Sequence, residues 1–241
     1  MTAVLKIGDS ELDIPTLLEQ LQQHQLLPRL VQEVVVDQAI ESVACDPEEA
    51  YKTFCIQRNL ITEEQQQAWQ TQYNLTQEQM YMTALRDAKI TKFKEDTWGK
   101  QVESYFLERK VKLDRVLYSL IRTKDPSLAQ ELYFRLNDDG DSFTDLARNY
   151  SEGQEAQTGG LIGPVELSVP HPMIGRMLSV SQPGQLWSPT PIGEWYVITR
   201  LEKFVPAQFD DAMRQRLIDE LFTAWLRETT QSTAVQPLLS E

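Results

Sequence analysis

Through the first half of the chain, apolar residues recur at helical spacing, and the polar residues between them supply helix start signals. Asp13-Ile14-Pro15 sets a capping side chain before a proline suited to a first helical turn. Asp46-Pro47-Glu48-Glu49 repeats that arrangement and adds acids that favour the positive end of a helix. Thr62 with Gln65, and Thr76 with Gln79, each fit a capping box preceded by an apolar residue, Ile61 or Leu75. From Thr76 the helical pattern continues to about Lys110, carrying Phe93, Trp98, Val102, Tyr105 and Phe106. A glycine inside a helix costs roughly 1 kcal/mol against alanine, so Trp98-Gly99 predicts a bend between two helices.

The pattern changes at Leu113. Arg115 to Thr123 is rich in strand formers and apolar on both faces, which predicts a central strand. Asp125-Pro126 starts a helix to about Arg135, Asn137 to Asp141 forms a turn, and Ser142 precedes a short helix from Phe143 to Tyr150. Ser151 to Gly163 reads as a glycine-bearing loop, Pro170 to Leu178 as a loop with a short helix, and Glu194 to Leu201 as a strand. From about Ala207 an amphipathic helix closes the chain. Its Met213, Leu217, Leu221 and Trp225, with Ile218 and Phe222 beside them, form one apolar face that requires a packing partner. The expected fold class is α+β, in three segments. Residues 1–112 are helical, 113–204 form a small, mostly antiparallel sheet with helices, and 205–241 return to complete the helical domain.

Composition narrows the function. The formal net charge is −13, which argues against nucleic acid as a partner, because phosphate contacts need Lys and Arg. No apolar run reaches the ~18–20 residues that span a bilayer, so no membrane insertion is expected. The first residues lack the basic and apolar regions of a secretory signal, giving the expectation of a cytoplasmic protein. Cys45 and Cys55 fall on adjacent predicted helices. A disulfide is open to them, but two reduced thiols are the expected state. The two cysteines and two histidines show no ligand spacing, so neither a metal nor another cofactor is expected.

Phe143-Thr-Asp-Leu-Ala-Arg-Asn-Tyr-Ser, followed by Gly159-Gly160-Leu161-Ile162-Gly163, resembles the parvulin family of peptidyl-prolyl isomerases. Gln182-Pro183-Gly184 and the strand after Gly193 follow in the family's order, and the resemblance extends over roughly 113–204. The flanking helices resemble the arrangement of SurA-like and PrsA-like chaperones. The resemblance implies a parvulin-like module that takes unfolded or extended polypeptide segments, proline-containing ones among them.

The family's polar network has two histidines and a Cys or Asp. Here the corresponding positions fall at Leu120, at Trp195 (or Tyr196, with the register slipped by one) and at Gly153. The chain's only histidines, His24 and His171, lie outside those strands. Val169, Met173 and Met177 or Leu178 fall near the family's apolar pocket positions, and Tyr118, Ser119 and Tyr196 are candidate hydrogen-bonding groups. The leading expectation is a SurA-like chaperone or peptide-binding protein with isomerisation weak or lost. The alternatives are an isomerase that works without histidines, and a dedicated adaptor in export or peptide maturation.

Overall fold

A computed structural model describes residues 4–233 as two compact units, one formed by the chain up to Val102 together with the segment from Asp211, the other by Glu103–Asp210. The outermost parts of the expected end segments, residues 1–3 and 234–241, lie outside the described residues.

The first unit opens with a feature that helical periodicity did not predict. Strands β1 (Leu5–Ile7) and β2 (Ser10–Leu12) form a small hairpin turned at Gly8 and Asp9. Helices α1 (Ile14–Gln23), α2 (Leu27–Ile40), α3 (Pro47–Gln57), α4 (Glu63–Tyr73) and α5 (Gln77–Trp98) follow. The expected caps are in place. Asp13 accepts from Thr16, Asp46 accepts from Glu48 and Glu49, and both Thr62 and Thr76 close capping boxes. Phe54, Cys55, Leu60, Met80 and Ala84 form a buried cluster, with Tyr51 and Trp69 packed against it. The two cysteines are free thiols, Cys55 buried and Cys45 partly so.

Helix α5 ends within the first unit, at Trp98 with Gly99 as its cap; helix α6 (Val102–Leu113) then opens the second and leads into strand β3 (Arg115–Thr123). Helices α7 (Pro126–Asn137) and α8 (Phe143–Tyr150) start at Asp125 and Ser142, whose side chains accept from backbone N–H groups. A 3-10 turn at Gln154–Thr158, strand β4 (Leu161–Glu166), helix α9 (Pro172–Ser179), and strands β5 (Leu186–Ile192) and β6 (Trp195–Val205) complete it. The sheet is antiparallel, in the order β4-β3-β6-β5. The two strands that periodicity predicted, β3 and β6, are its centre. The other two, β4 and β5, for which no strand was expected, are its edges, and they carry Pro164, Pro189 and Pro191. Proline cannot donate to a ladder, so it is confined to edge strands, and there it disguises them as loops. Asp114, almost fully buried, ties the ends of this unit together by accepting from Ala207 N at 2.7 Å and from Lys110 Nζ at 3.1 Å.

Helix α10 (Asp211–Ser232) belongs to the first unit. Leu217 and Ile218 are buried, and Phe222 and Trp225 gather with Phe93 around Trp98 at ring distances of 5.2–6.0 Å. Arg214 grips the carboxylate of Glu95 with two nitrogens, and Lys94 pairs with Asp219 at 3.0 Å.

Candidate functional site

Strand side chains alternate between faces, and residues directly paired across an antiparallel ladder share one. In the β3–β6 pair, Tyr118 lies opposite Leu201, Leu120 opposite Thr199, and Arg122 opposite Val197. On the other face, Ser119 lies opposite Arg200, Ile121 opposite Ile198, and Thr123 opposite Tyr196. The first face packs Val116, Tyr118, Leu120, Val197 and Leu201 against Leu167, Ile174 and Leu178 from the α9 region, with Trp195 at the margin. The second packs Ile121 and Ile198 against Leu132, Phe143, Leu146 and Ala147 of α7 and α8.

This alternation sorts the expected site residues. Leu120 and Trp195 share the α9 face, whereas Tyr196 is on the opposite one, so the structure does not bring Tyr196 into the same group. Leu178 is fully buried in the core beneath α9 and Met177 is nearly so; both are packing residues. Val169 and Met173 are the exposed members, at 67% and 45%. The apolar set therefore divides into a floor that no ligand reaches and two surface residues. Tyr118 is 4% exposed, and burial pushes its phenol up to about 12, with the nearby Glu155 carboxylate adding to the rise. Ser119 turns to the other face and donates to Glu202 at 2.5 Å. The histidines are elsewhere: exposed His24 contacts Gln20, and His171 caps α9, its Nδ1 accepting from Met173 N at 3.3 Å.

Three residues that sequence reasoning did not single out fill the polar part of this face. Glu155 sits on the 3-10 turn with its side chain only 5% exposed, and a carboxylate that deep must be paired. Arg122 Nε lies 3.1 Å from Glu155 Oε1, close enough for an ion pair but not aligned as a hydrogen bond. Ser151 Oγ donates to the same oxygen at 2.6 Å while accepting from Arg122 N at 3.1 Å. The Arg122 guanidinium also stands over the Trp195 ring, 5.3 Å from its centroid, with Lys124 Nζ over that ring at 4.9 Å. Gly153 has an ordinary negative φ of −108°, so backbone strain does not demand a glycine. Space does: a Cβ there would run into Arg122 Nε and Nη2 and into Glu155 Oε2. The side-chain volume that the Cys or Asp position would use is occupied by an arginine from β3 and a glutamate two residues along. The available signal was the pair of acids flanking Gly153. The other of them, Glu152, accepts from Thr123 Oγ1 at 2.6 Å and Lys124 N at 3.0 Å, bonds that hold its carboxyl below the ordinary range.

Gly159 and Gly160 place this loop. Both have positive φ, and at Gly160 a Cβ would meet Leu120 O and the Ala147 Cβ at 2.9 Å. Leu120 N donates to Gly160 O at 2.9 Å, so the glycine lets the loop backbone press against β3 beside the candidate site.

Residues 122–203 match the rotamase family, described as a PPIC-type PPIASE domain. That match lies within the second unit. No curated protein matches the chain. Among solved structures, the chain is similar to the peptidylprolyl isomerase PrsA from Bacillus anthracis, with 17% identity, a TM-score of 0.47, and coverage of 87% of this chain and 100% of that one. It is also similar to a structure of the virulence factor PEB4 and the periplasmic protein Cj1289, SurA-like chaperones of Campylobacter jejuni. There the identity is 13% and the TM-score 0.37, covering 98% and 100%. The parvulin domain of PpiD from E. coli is similar over 41% of this chain and 95% of that one, at 26% identity and a TM-score of 0.35. The cytoplasmic location expected above does not stand. One of these similar structures is of a protein described as periplasmic, and the way a sequence begins does not give its address. Among the described residues, no helix is long and apolar enough to cross a membrane.

Proposed function

We propose that residues 113–204 act as the peptide-binding module of a chaperone or foldase, holding extended, proline-containing segments on the α9 face while isomerising them weakly or not at all. Rotation about an X-Pro bond passes through a twisted amide, and catalysis requires the site to bind that state better than either planar isomer. Side-chain hydrogen bonds aimed at the twisted form supply part of that preference. The observation that carries the reading is the pair Leu120 and Trp195 on this face. Leucine has no polar atom, and indole only donates, so neither copies a paired imidazole. An apolar surface with Val169 and Met173 exposed still supports binding through buried area.

The test sets a proline-limited refolding assay beside a peptide titration on the same preparation of the full chain. Saturable binding with isomerisation far below that of a histidine-bearing parvulin is the expected result. Activity equal to such a parvulin would overturn the reading.

A further inference from the structure

We infer that Arg122 is the hydrogen-bond donor of the proposed peptide site, gripping a main-chain carbonyl oxygen of the bound segment, and that Glu155 is the residue that positions it. This inference rests on the peptide-binding reading above.

Accessibility separates the two roles. The Glu155 side chain is 5% exposed and takes the Ser151 hydroxyl at 2.6 Å, so it is fixed and out of reach. The Arg122 side chain is 35% exposed and is held from both sides, by Glu155 at 3.1 Å and by the Trp195 ring. A guanidinium carries five N–H donors in a rigid fork, and a single carboxylate cannot use them all. The donor left over is therefore pre-organised rather than free to wander, which lowers the entropic cost of binding.

Charge decides what that donor takes. Arg122 is neutralised by Glu155, and Lys124 by Glu194 at 2.8 Å, so the cations on this face stand beside carboxylates. Such a surface gives an anionic ligand little net attraction, while a neutral carbonyl oxygen needs only the donor. Every residue of an extended segment presents a carbonyl, so the contact suits a site that accepts varied sequences. A bond to a carbonyl away from the rotating amide is made equally with both isomers and with the twisted state. It tightens binding without accelerating rotation.

The experiment titrates the full chain with a blocked, uncharged peptide carrying one aromatic-proline pair, and with the same peptide bearing two glutamates. Arg122→Met is expected to weaken binding of the neutral peptide about tenfold or more, a loss read in the affinity. Glu155→Gln should weaken it less, and Arg122→Lys should restore only part of the loss because an ammonium lacks the fork. If Arg122→Met lowers the melting temperature of the second unit, Arg122→Lys decides: weakened binding on an unchanged melt supports the inference. Unchanged binding in Arg122→Met or in Arg122→Lys overturns the inference alone, as does a tenfold preference of the wild type for the glutamate-bearing peptide. Failure of the wild type to bind either peptide overturns the reading on which the inference rests.

Discussion

Arg122 and Glu155 meet at 3.1 Å in the space that a side chain at residue 153 would need. Gly153→Ala is therefore an indirect way to break the pair. The new Cβ would strike Arg122 and Glu155 side-chain atoms rather than backbone, and φ at 153 suits alanine, so the cost comes from unpairing the buried Glu155 carboxylate and should be about 3 kcal/mol. Peptide affinity should fall as far as in Arg122→Met. Thermal melts beside the same peptide titration check this, and a variant that binds like wild type would show that the pair is not part of the binding surface.

Tyr118 gives the site a pH signature. Its phenol is raised to about 12, first by burial and second by the Glu155 charge, whereas in the unfolded chain it titrates near the ordinary 10.0. Above that ordinary value the unfolded state releases a proton that the folded state keeps. The stabilisation is thus complete below pH 10 and is lost as pH rises toward about 12. Denaturant unfolding of the second unit across this window should show falling stability, and Tyr118→Phe should flatten the fall. An equal slope in both proteins would place the cause in another group.

Much of this architecture was legible because its signals are local. Asp13, Asp46, Thr62, Thr76 and Asp125 announce helices through side chains that satisfy the first free N–H groups, and the caps stand where those residues fall. The central strands β3 and β6 are covered on both faces and read as apolar runs. Strands β4 and β5 were hidden by Gly163, Pro164, Pro189 and Pro191, residues that an edge tolerates. The site was less legible than the fold. Strand alternation separates Trp195 from Tyr196, but a one-residue uncertainty in register exchanges their faces. The Arg122–Glu155 pair joins residues thirty-three positions apart, counting from 122 to 155, through a glycine whose purpose is only spatial. Nothing local in either segment points to the other.

Thr199 is an isolated mismatch in the same core. It lies opposite Leu120, is fully buried, and its hydroxyl has no hydrogen-bond partner among the described residues. A buried hydroxyl without a partner costs free energy that an isosteric methyl avoids. Thr199→Val is expected to leave stability unchanged or raise it by about 1 kcal/mol, read from denaturant midpoints. A loss of 1 kcal/mol or more would show that the hydroxyl is satisfied in solution.

The final prediction concerns the first unit, where α10 supplies the partner that its apolar face requires. Trp98 is 6% exposed among Phe93, Phe222 and Trp225, so Trp98→Ala should cost this unit about 3–5 kcal/mol. Removing residues 211–241 takes away two of those rings, buried Leu217 and Ile218, and the Arg214 and Lys94 ion pairs together. The ion pairs add an acid dependence. Arg214 holds the Glu95 carboxyl below its ordinary range, so that contribution is present above the ordinary glutamate pKa and is lost as pH falls through and below it. Glu95 is half exposed, so solvent screening keeps this term small beside the aromatic packing. In the truncated chain, amide protection should collapse in α2 and α5 while the β3–β6 ladder stays protected, because its registers and its Asp114 clasp lie within 103–210. Hydrogen exchange read residue by residue is the measurement. Retained protection in α5, or loss of it in β3, would contradict the division of the chain into these two cores.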